Sequence, residues 1–394
     1  MISNEWLKKN WGDIATLEYG KSLKDYQNSN GTVPVFGTNG RIGYTNKPLC
    51  SSPSIIIGRK GAYRGVHFSN TPFFVIDTAF YLKAIKTDEL NIVYAYYQLL
   101  TQNINDMDSG SAIPSTSRED FYNLSLRLPP LETQNRIAGI LSSLDDKLEL
   151  NKQTNSTLED ILKILFEEWF INFNYPNSDG SRKHTEFGEI PADWKVSGIG
   201  DICYVQNGYA FKSEDFKEEG EVGIVKIKNI NGNVVDIEKT DFVEASVIER
   251  LDKKFKIESK SLLIAMTGAQ VGKVGLVPLT EKNLWLNQRV GMFKEKFAYG
   301  SLFMYLLLSS DLYQTNIKNS ALGSAQPNIS ASAIESIRAI IPTVELVKQF
   351  GTIVTPMFEK ILDNLAENET LKIIRDSLLP KLMSGEIDVN ISNR

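Results

Sequence analysis

At 394 residues the chain is long enough for two or three domains with their own cores, and its 42% hydrophobic and 23% charged content is that of an ordinary globular protein. A net charge of −5 argues against a uniformly basic nucleic-acid binder, the two cysteines (Cys50, Cys203) cannot build a disulfide framework, and the two histidines (His67, His184) leave no metal-ligand cluster. No apolar run approaches a membrane span and Met1–Glu5 lacks a basic-then-apolar signal, so a cytoplasmic protein with no membrane association is expected, with both cysteines as small core residues.

Residues 1–130 read as a mixed, strand-rich globule. Val33–Phe36 is a short strand followed by a turn at Gly37-Thr38-Asn39-Gly40-Arg41. Ser54–Ile57 is a buried β run broken by Gly58-Arg59-Lys60-Gly61, and Phe73–Ile76 and Ala79–Leu82 are further strands. Asn91–Leu100 has the pattern of an amphipathic helix, and Pro129-Pro130 ends the last strand before a long helix. That helix carries apolar residues at alternating spacings of four and three: Ile137, Leu141, Leu144, Leu148, then Asn151 and Asn155, then Leu158, Leu162, Leu165 and Trp169. This is a heptad seam with two asparagines at its middle. Residues 172–190 read as a polar linker, and Ile190-Pro191-Ala192-Asp193-Trp194 opens a second globule over 191–342. A second long helix over 343–383 repeats the seam: Phe350, Val354, Met357, Ile361, Asn364, Asn368, Leu371, Arg375, Leu378, Leu382. Residues 384–394 form a tail.

The chain is an internal duplication. Gly110-Ser111-Ala112-Ile113-Pro114 reappears as Gly323-Ser324-Ala325-Gln326-Pro327, and at the same offset Pro129 falls on Pro342, Glu132 on Glu345, Lys147 on Lys360, Asn151 on Asn364 and Asn155 on Asn368. The globules echo each other more weakly. Gly12-Asp13-Ile14 with Gly20 matches Gly200-Asp201-Ile202 with Gly208, and Ile55–Gly61 matches Leu262–Gly268, at differing offsets. Each seam is the other's best partner. Asn151 would face Asn368 and Asn155 would face Asn364 in an antiparallel pair, with Arg375 opposite Leu144 and its tip snorkelling. A parallel pair would also align the asparagines; pseudo-twofold symmetry favours the antiparallel one. The fold expected is α+β: two strand-rich domains separated by long helices packed as an antiparallel coiled coil. The asparagines set the register of that spacer.

The chain carries no motif for chemistry of its own. Gly268–Val274 is one residue short of a phosphate-binding loop and has Val274 where Ser or Thr would hold magnesium. A Gly-x-Ser-x-Gly elbow and the Asn/Asp-Pro-Pro-aromatic motif of amino-methyltransferases are both missing.

On the duplicated helix starts, each with Gly-Ser-Ala-x-Pro and Pro-x-x-Glu, and on Trp169-Phe170 through Gly188–Trp194, the chain resembles the specificity subunits of type I restriction–modification systems over essentially its whole length. Gly37–Tyr44 is similar to a common class of target recognition domain. The resemblance implies a non-catalytic subunit whose two globules each read half of a bipartite double-stranded DNA site. The helices would set the unread spacer. Two adenine-N6 methyltransferase subunits would clamp the helices, and two restriction/translocase subunits could join them. No cofactor is expected in this chain; S-adenosylmethionine, ATP and magnesium belong to the partners. Readout needs forked donors and amides at base edges, and positioning needs cations at phosphate. The candidates on Gly-rich turns are Thr38, Asn39, Arg41, Arg59 and Lys60 in the first domain, and Lys228, Asn229, Thr267, Gln270, Lys273, Asn287, Gln288 and Arg289 in the second. The competing expectation is a coiled-coil scaffold for proteins alone, which predicts no sequence-dependent DNA binding in any assembly.

Overall fold

The structure is a computed structural model that describes residues 6–27, 30–107, 114–230, 232–310, 313–314 and 328–389. The duplicated Gly-Ser-Ala-x-Pro segments lie outside them except for Pro114. The chain forms two compact units, residues 1–149 with 370–394, and residues 150–369.

In the first unit, a four-stranded sheet runs in the order Ala15–Tyr19, Ala79–Ala84, Ser54–Gly58, Val66–Ser69, all antiparallel. The strand Ser54–Gly58 is buried along its whole length because both of its faces are covered. Ile55 and Ile57 pack with Trp11, Leu17 and Phe121, while Ile56 packs on the other side with Phe73 and Val75. A smaller sheet pairs Gly40–Thr45 antiparallel with Val33–Gly37, and Val33–Gly37 parallel with Phe74–Val75. The Thr38-Asn39 dipeptide closes the hairpin, with Gly37 opposite Gly40. Helix Ile92–Leu100 is capped by Asn91, whose side chain accepts from the Val93 and Tyr94 amides at 2.8 and 2.9 Å.

The second unit repeats this plan. Its four-stranded sheet runs Cys203–Asn207, Val290–Glu295, Leu262–Ala265, Val274–Leu276. A parallel pair, Val222–Val225 with Asn283–Leu286, corresponds to Val33–Gly37 with Phe74–Val75. Asp241–Val243 pairs antiparallel with Val222–Val225 as Gly40–Thr45 does with Val33–Gly37, and two added strands, Phe216–Lys217 and Lys256–Ile257, widen this sheet from three to five and go with the shifting offsets. Shared details run deep. Leu17 N–H donates to the Tyr122 hydroxyl at 3.0 Å, and Val205 N–H donates to a Glu335 carboxylate oxygen at 2.7 Å. Gly20 and Gly208 each approach a backbone carbonyl so closely that a Cβ would sit 2.0 Å from Ile76 O or 2.1 Å from Asn287 O. In each unit a two-stranded clasp joins the ends of the domain: Leu7–Asn10 with Ser125–Leu128, and Lys195–Gly198 with Arg338–Ile341.

The long helices are Leu131–Phe166, extended by a π-helical turn over Glu167–Ile171, and Val344–Ser384. The fully buried Gln134 fastens the first helix to its domain, donating to Pro129 O and Glu89 O at 2.8 and 2.9 Å and accepting from the Asn91 amide at 2.9 Å. The wider π turn carries Trp169 and Phe170 into a nucleus with Phe166, Trp194, Phe303 and Phe350, with ring centroids 4.9–6.3 Å apart. Within each unit the helix segments pack antiparallel. In the second unit Asn151 Nδ2 donates to Asn368 Oδ1 at 3.0 Å, and Asn364 Nδ2 donates to Asn155 Oδ1 at 2.7 Å. Asn155 Nδ2 also reaches Ile361 O at 3.2 Å. In the first unit, Ile137 and Leu141 pack with Leu382 and Met383.

Three local expectations are corrected. Arg375 does not send its tip to solvent past Leu144; it pairs with Asp145 at 2.9 Å and with Asp376 at 2.8 Å, and Asp145 also accepts from the Tyr97 hydroxyl at 2.7 Å. Residues 172–190 are more than a linker, since Arg182–Thr185 and Gly188–Pro191 form a hairpin. Cys203 is buried, but Cys50, which bridges to Phe73, is only half-buried.

The seam asparagines generate a first prediction. Asn155→Leu alone strands the Asn364 amide in an apolar seam and should destabilise the protein by about 1–3 kcal/mol; the double variant N155L/N364L removes both polar groups and should recover most of that loss. Urea unfolding of the four proteins of the cycle measures the coupling, and additive losses would show that the two amides do not act as a pair.

Candidate nucleic-acid interface

In the first unit the hairpin tip and the turn after the central strand are tied together. Thr38 Oγ1 donates to Lys60 O at 3.1 Å and to Thr78 O at 2.9 Å, and Gly65 N–H donates to Thr38 O at 3.1 Å. Thr38 is therefore a half-buried strut, and it brings Asn39 beside Arg59 and Lys60. Asn39 is exposed; its amide nitrogen, turned inward, donates to Thr38 O at 3.1 Å and Tyr63 O at 3.0 Å. Arg41 is exposed, its guanidinium 5.1 Å from the Tyr44 ring. Lys60 is exposed on a turn that continues into Gly61 at φ +120°, a backbone conformation that suits glycine. His67 is partly buried against Gly40 and Gly65, and burial lowers its pKa.

Tyr19 and Arg118, which sequence reasoning missed, join Arg59 in completing this face. Arg59 lies 4.9 Å from the Tyr19 ring centroid and donates through Nη1 to Asp77 O at 3.1 Å. Arg118 lies 5.2 Å from the same ring, and its Nε and Nη2 donate to the Tyr122 hydroxyl at 3.2 and 2.9 Å. That hydrogen bond raises the pKa of the Arg118 guanidinium. Tyr19, Arg59 and Arg118 stand far apart in the chain, so no local pattern could have joined them.

In the second unit the corresponding turn holds Thr267, Gln270 and Lys273. Thr267 bridges to Asn328 just as Lys60 bridges to Ser115. Met266 N–H donates to Arg289 O at 3.0 Å, which sets this turn against the neighbouring one carrying exposed Gln288 and Arg289. Thr267 Oγ1 and Gln270 Oε1 are buried and unpaired among the described residues. Lys273 is half-buried, and Asn287 is 9% exposed. Lys228 is exposed and shares the Asp241 carboxylate with Lys226. Burial opposes ionisation of Asp241, but hydrogen bonds and charge from the two lysines outweigh it and hold its pKa below the ordinary value.

Asn229 is committed to its own loop. It is 1% exposed, its Nδ2 donates to Asp236 O and Lys239 O at 3.0 and 2.9 Å, and its Oδ1 accepts from the Lys226 amide at 2.9 Å. Every polar atom of its side chain shapes its own loop. Asn229→Ala should therefore destabilise the second unit by about 1–3 kcal/mol, whereas Gln288→Ala and Arg289→Ala, at exposed positions, should stay within about 0.5 kcal/mol of wild type; thermal unfolding separates the two kinds of residue.

The fold and this face define a duplicated protein: two strand-rich domains of one topology, presenting different side chains from equivalent turns, on antiparallel helices. The sequence profile of the type I restriction modification DNA specificity domain matches residues 3–160 and 191–372, and the chain belongs to that family. It is 31% identical over 307 residues to the specificity subunit of the type I restriction enzyme MjaIX of Methanocaldococcus jannaschii, covering 75% of this chain and 69% of the relative. It is 27% identical over 350 residues to the HindI specificity subunit of Haemophilus influenzae, covering 74% of each. Its fold matches the crystal structure of a type I restriction–modification S subunit from M. genitalium with a TM-score of 0.71 at 20% identity, over 96% of both chains.

Proposed function

We propose that the chain is the non-catalytic DNA-specificity subunit of a type I restriction–modification complex, each strand-rich domain reading one half of a bipartite site. The observation that carries this reading is the pair of equivalent turns: one backbone, braced by the same bridge, carries exposed Lys60 in one domain and half-buried Thr267 in the other. Shared geometry with different side chains is what two readers of different half-sites require. Family membership supports the same reading. Exposed Asn39, Arg41 and Lys60 are the best placed readers of the first domain, and Gln288 and Arg289 those of the second.

The helix pair acts as the spacer. Two linked readers gain affinity through effective concentration only when their separation suits the two half-sites, and a helix supplies a fixed length. The continuity of both helices and the opposed asparagines support this role. The helices also recruit two adenine-N6 methyltransferase subunits, which bring S-adenosylmethionine; restriction subunits would bring ATP and magnesium chemistry. Large aliphatic side chains left exposed on the helices, Ile140 and Ile373 in the first unit and Leu150, Ile164 and Ile353 in the second, suit such a partner surface.

Methylome sequencing of cells with and without this chain tests the central reading. The expected result is the loss of one split adenine-methylation motif, and replacing residues 191–342 by the corresponding domain of a relative should change the letters of one half only. Unchanged methylation in cells that retain both methyltransferase partners favours the protein-only scaffold. The spacer is tested separately: one heptad inserted after Glu149 and one after Glu369 adds about 10 Å, or about three base pairs of unread DNA. New letters at the old spacing would refute the ruler.

A further inference from the structure

We propose that Arg59 and Arg118, stacked with Tyr19, form a DNA-phosphate clamp that the first domain has and the second lacks; the proposal rests on the DNA-reading function above. Both guanidiniums lie about 5 Å from the Tyr19 ring centroid, at 4.9 and 5.2 Å, and Tyr19 is 47% exposed. Neither forms an ion pair with a carboxylate among the described residues, unlike Lys226 and Lys228, which share Asp241. Two cations held together without an anion make a place where an anion gains the most.

Both are also immobilised. Arg59 is tied to Asp77 O, and Arg118 to the Tyr122 hydroxyl, which itself accepts the Leu17 N–H that fixes the frame of the domain. Less side-chain entropy is then lost on binding. The pair sits at the ends of frame elements, Arg59 directly after the strand Ser54–Gly58 and Arg118 at the start of helix Arg118–Asn123, rather than on the hairpin tip that carries Asn39 and Arg41. Frame-held cations suit positioning on phosphate; tip residues suit base edges.

The second domain has replaced all three members. Equivalent glycines and helix caps align Tyr19 with Asn207, Arg59 with the buried Met266, and Arg118 with Ala331, which follows the Ser330 cap as Arg118 follows Ser117. Electrostatic anchoring is therefore assigned to the first domain.

The test is the salt dependence of binding by the full chain assembled with its methyltransferase partners, on a duplex bearing the methylated motif. R59Q/R118Q should make the slope of log K against log salt shallower by about 1.8, at about 0.9 per phosphate contact, and R118Q alone by about half that. R59K/R118K, which keeps the charge, should retain most of the wild-type slope, and R182Q, a lost charge on the hairpin Arg182–Pro191, should leave it unchanged. The methylated letters should be the same in every variant. A wild-type slope in folded R118Q and R59Q/R118Q, or changed letters in one half-site, would overturn the clamp. A wild-type assembly with no sequence preference would instead overturn the specificity reading and the clamp with it.

Discussion

The structure depends on a polar constraint inside an apolar seam. Asn151, Asn155, Asn364 and Asn368 are 1–7% exposed, and in the antiparallel arrangement each meets an amide of the facing helix at one register. A slip of a single turn would bury several amide groups without partners, at about 1–3 kcal/mol each. Apolar seams tolerate sliding; buried amides do not. The asparagines thus restrict the alternatives that Leu and Ile alone would leave open. The aromatic nucleus around Phe170 and the Tyr97–Asp145–Arg375 network then fasten the helix segments within their own units.

The frame and the reading surfaces follow different rules. What repeats between the units is backbone: strand order, the parallel pair, the bridge that braces the turn, and an amide proton held by Tyr122 in one unit and Glu335 in the other. What differs is the side chains on the turns. The hydrogen bonds that hold the frame are directed at main-chain atoms, so the turn side chains can change without loosening it. The two domains of the chain have diverged along that line, down to the exchange of Arg59 for Met266.

The helices were legible because their signals are local and periodic. Pro129-Pro130 sets the start of the first helix, and the heptad spacing locates its seam. Val33–Gly37, Ser54–Gly58, Phe74–Val75 and Ala79–Ala84 were legible as short β-rich runs, and helix Ile92–Leu100 from its amphipathic pattern, whereas Ala15–Tyr19 and Val66–Ser69 were not read. The second domain's two added strands were not legible, since each is two residues long and is defined by its partners rather than by its own pattern. The candidate interface was less legible still. Asn39 and Asn229 are both asparagines on turns, yet one is exposed and the other is clamped by carbonyls from Asp236 and Lys239. Which way such a side chain points depends on distant backbone. The grouping of Tyr19 with Arg118 likewise exists only once the first sheet strand lies beside the short helix.

The division of the chain between the units has a consequence for biosynthesis. Residues 150–369 form an uninterrupted stretch and can collapse as soon as they leave the ribosome. The other unit is built from residues 1–149 and 370–394, so Ile137, Leu141, Tyr94 and Tyr97 wait for Leu382 and Met383 before their apolar faces are covered. The earlier-made unit is therefore the later one to mature. During that delay its half-built seam leaves apolar side chains uncovered, open to chaperone capture and to premature association with other polypeptides.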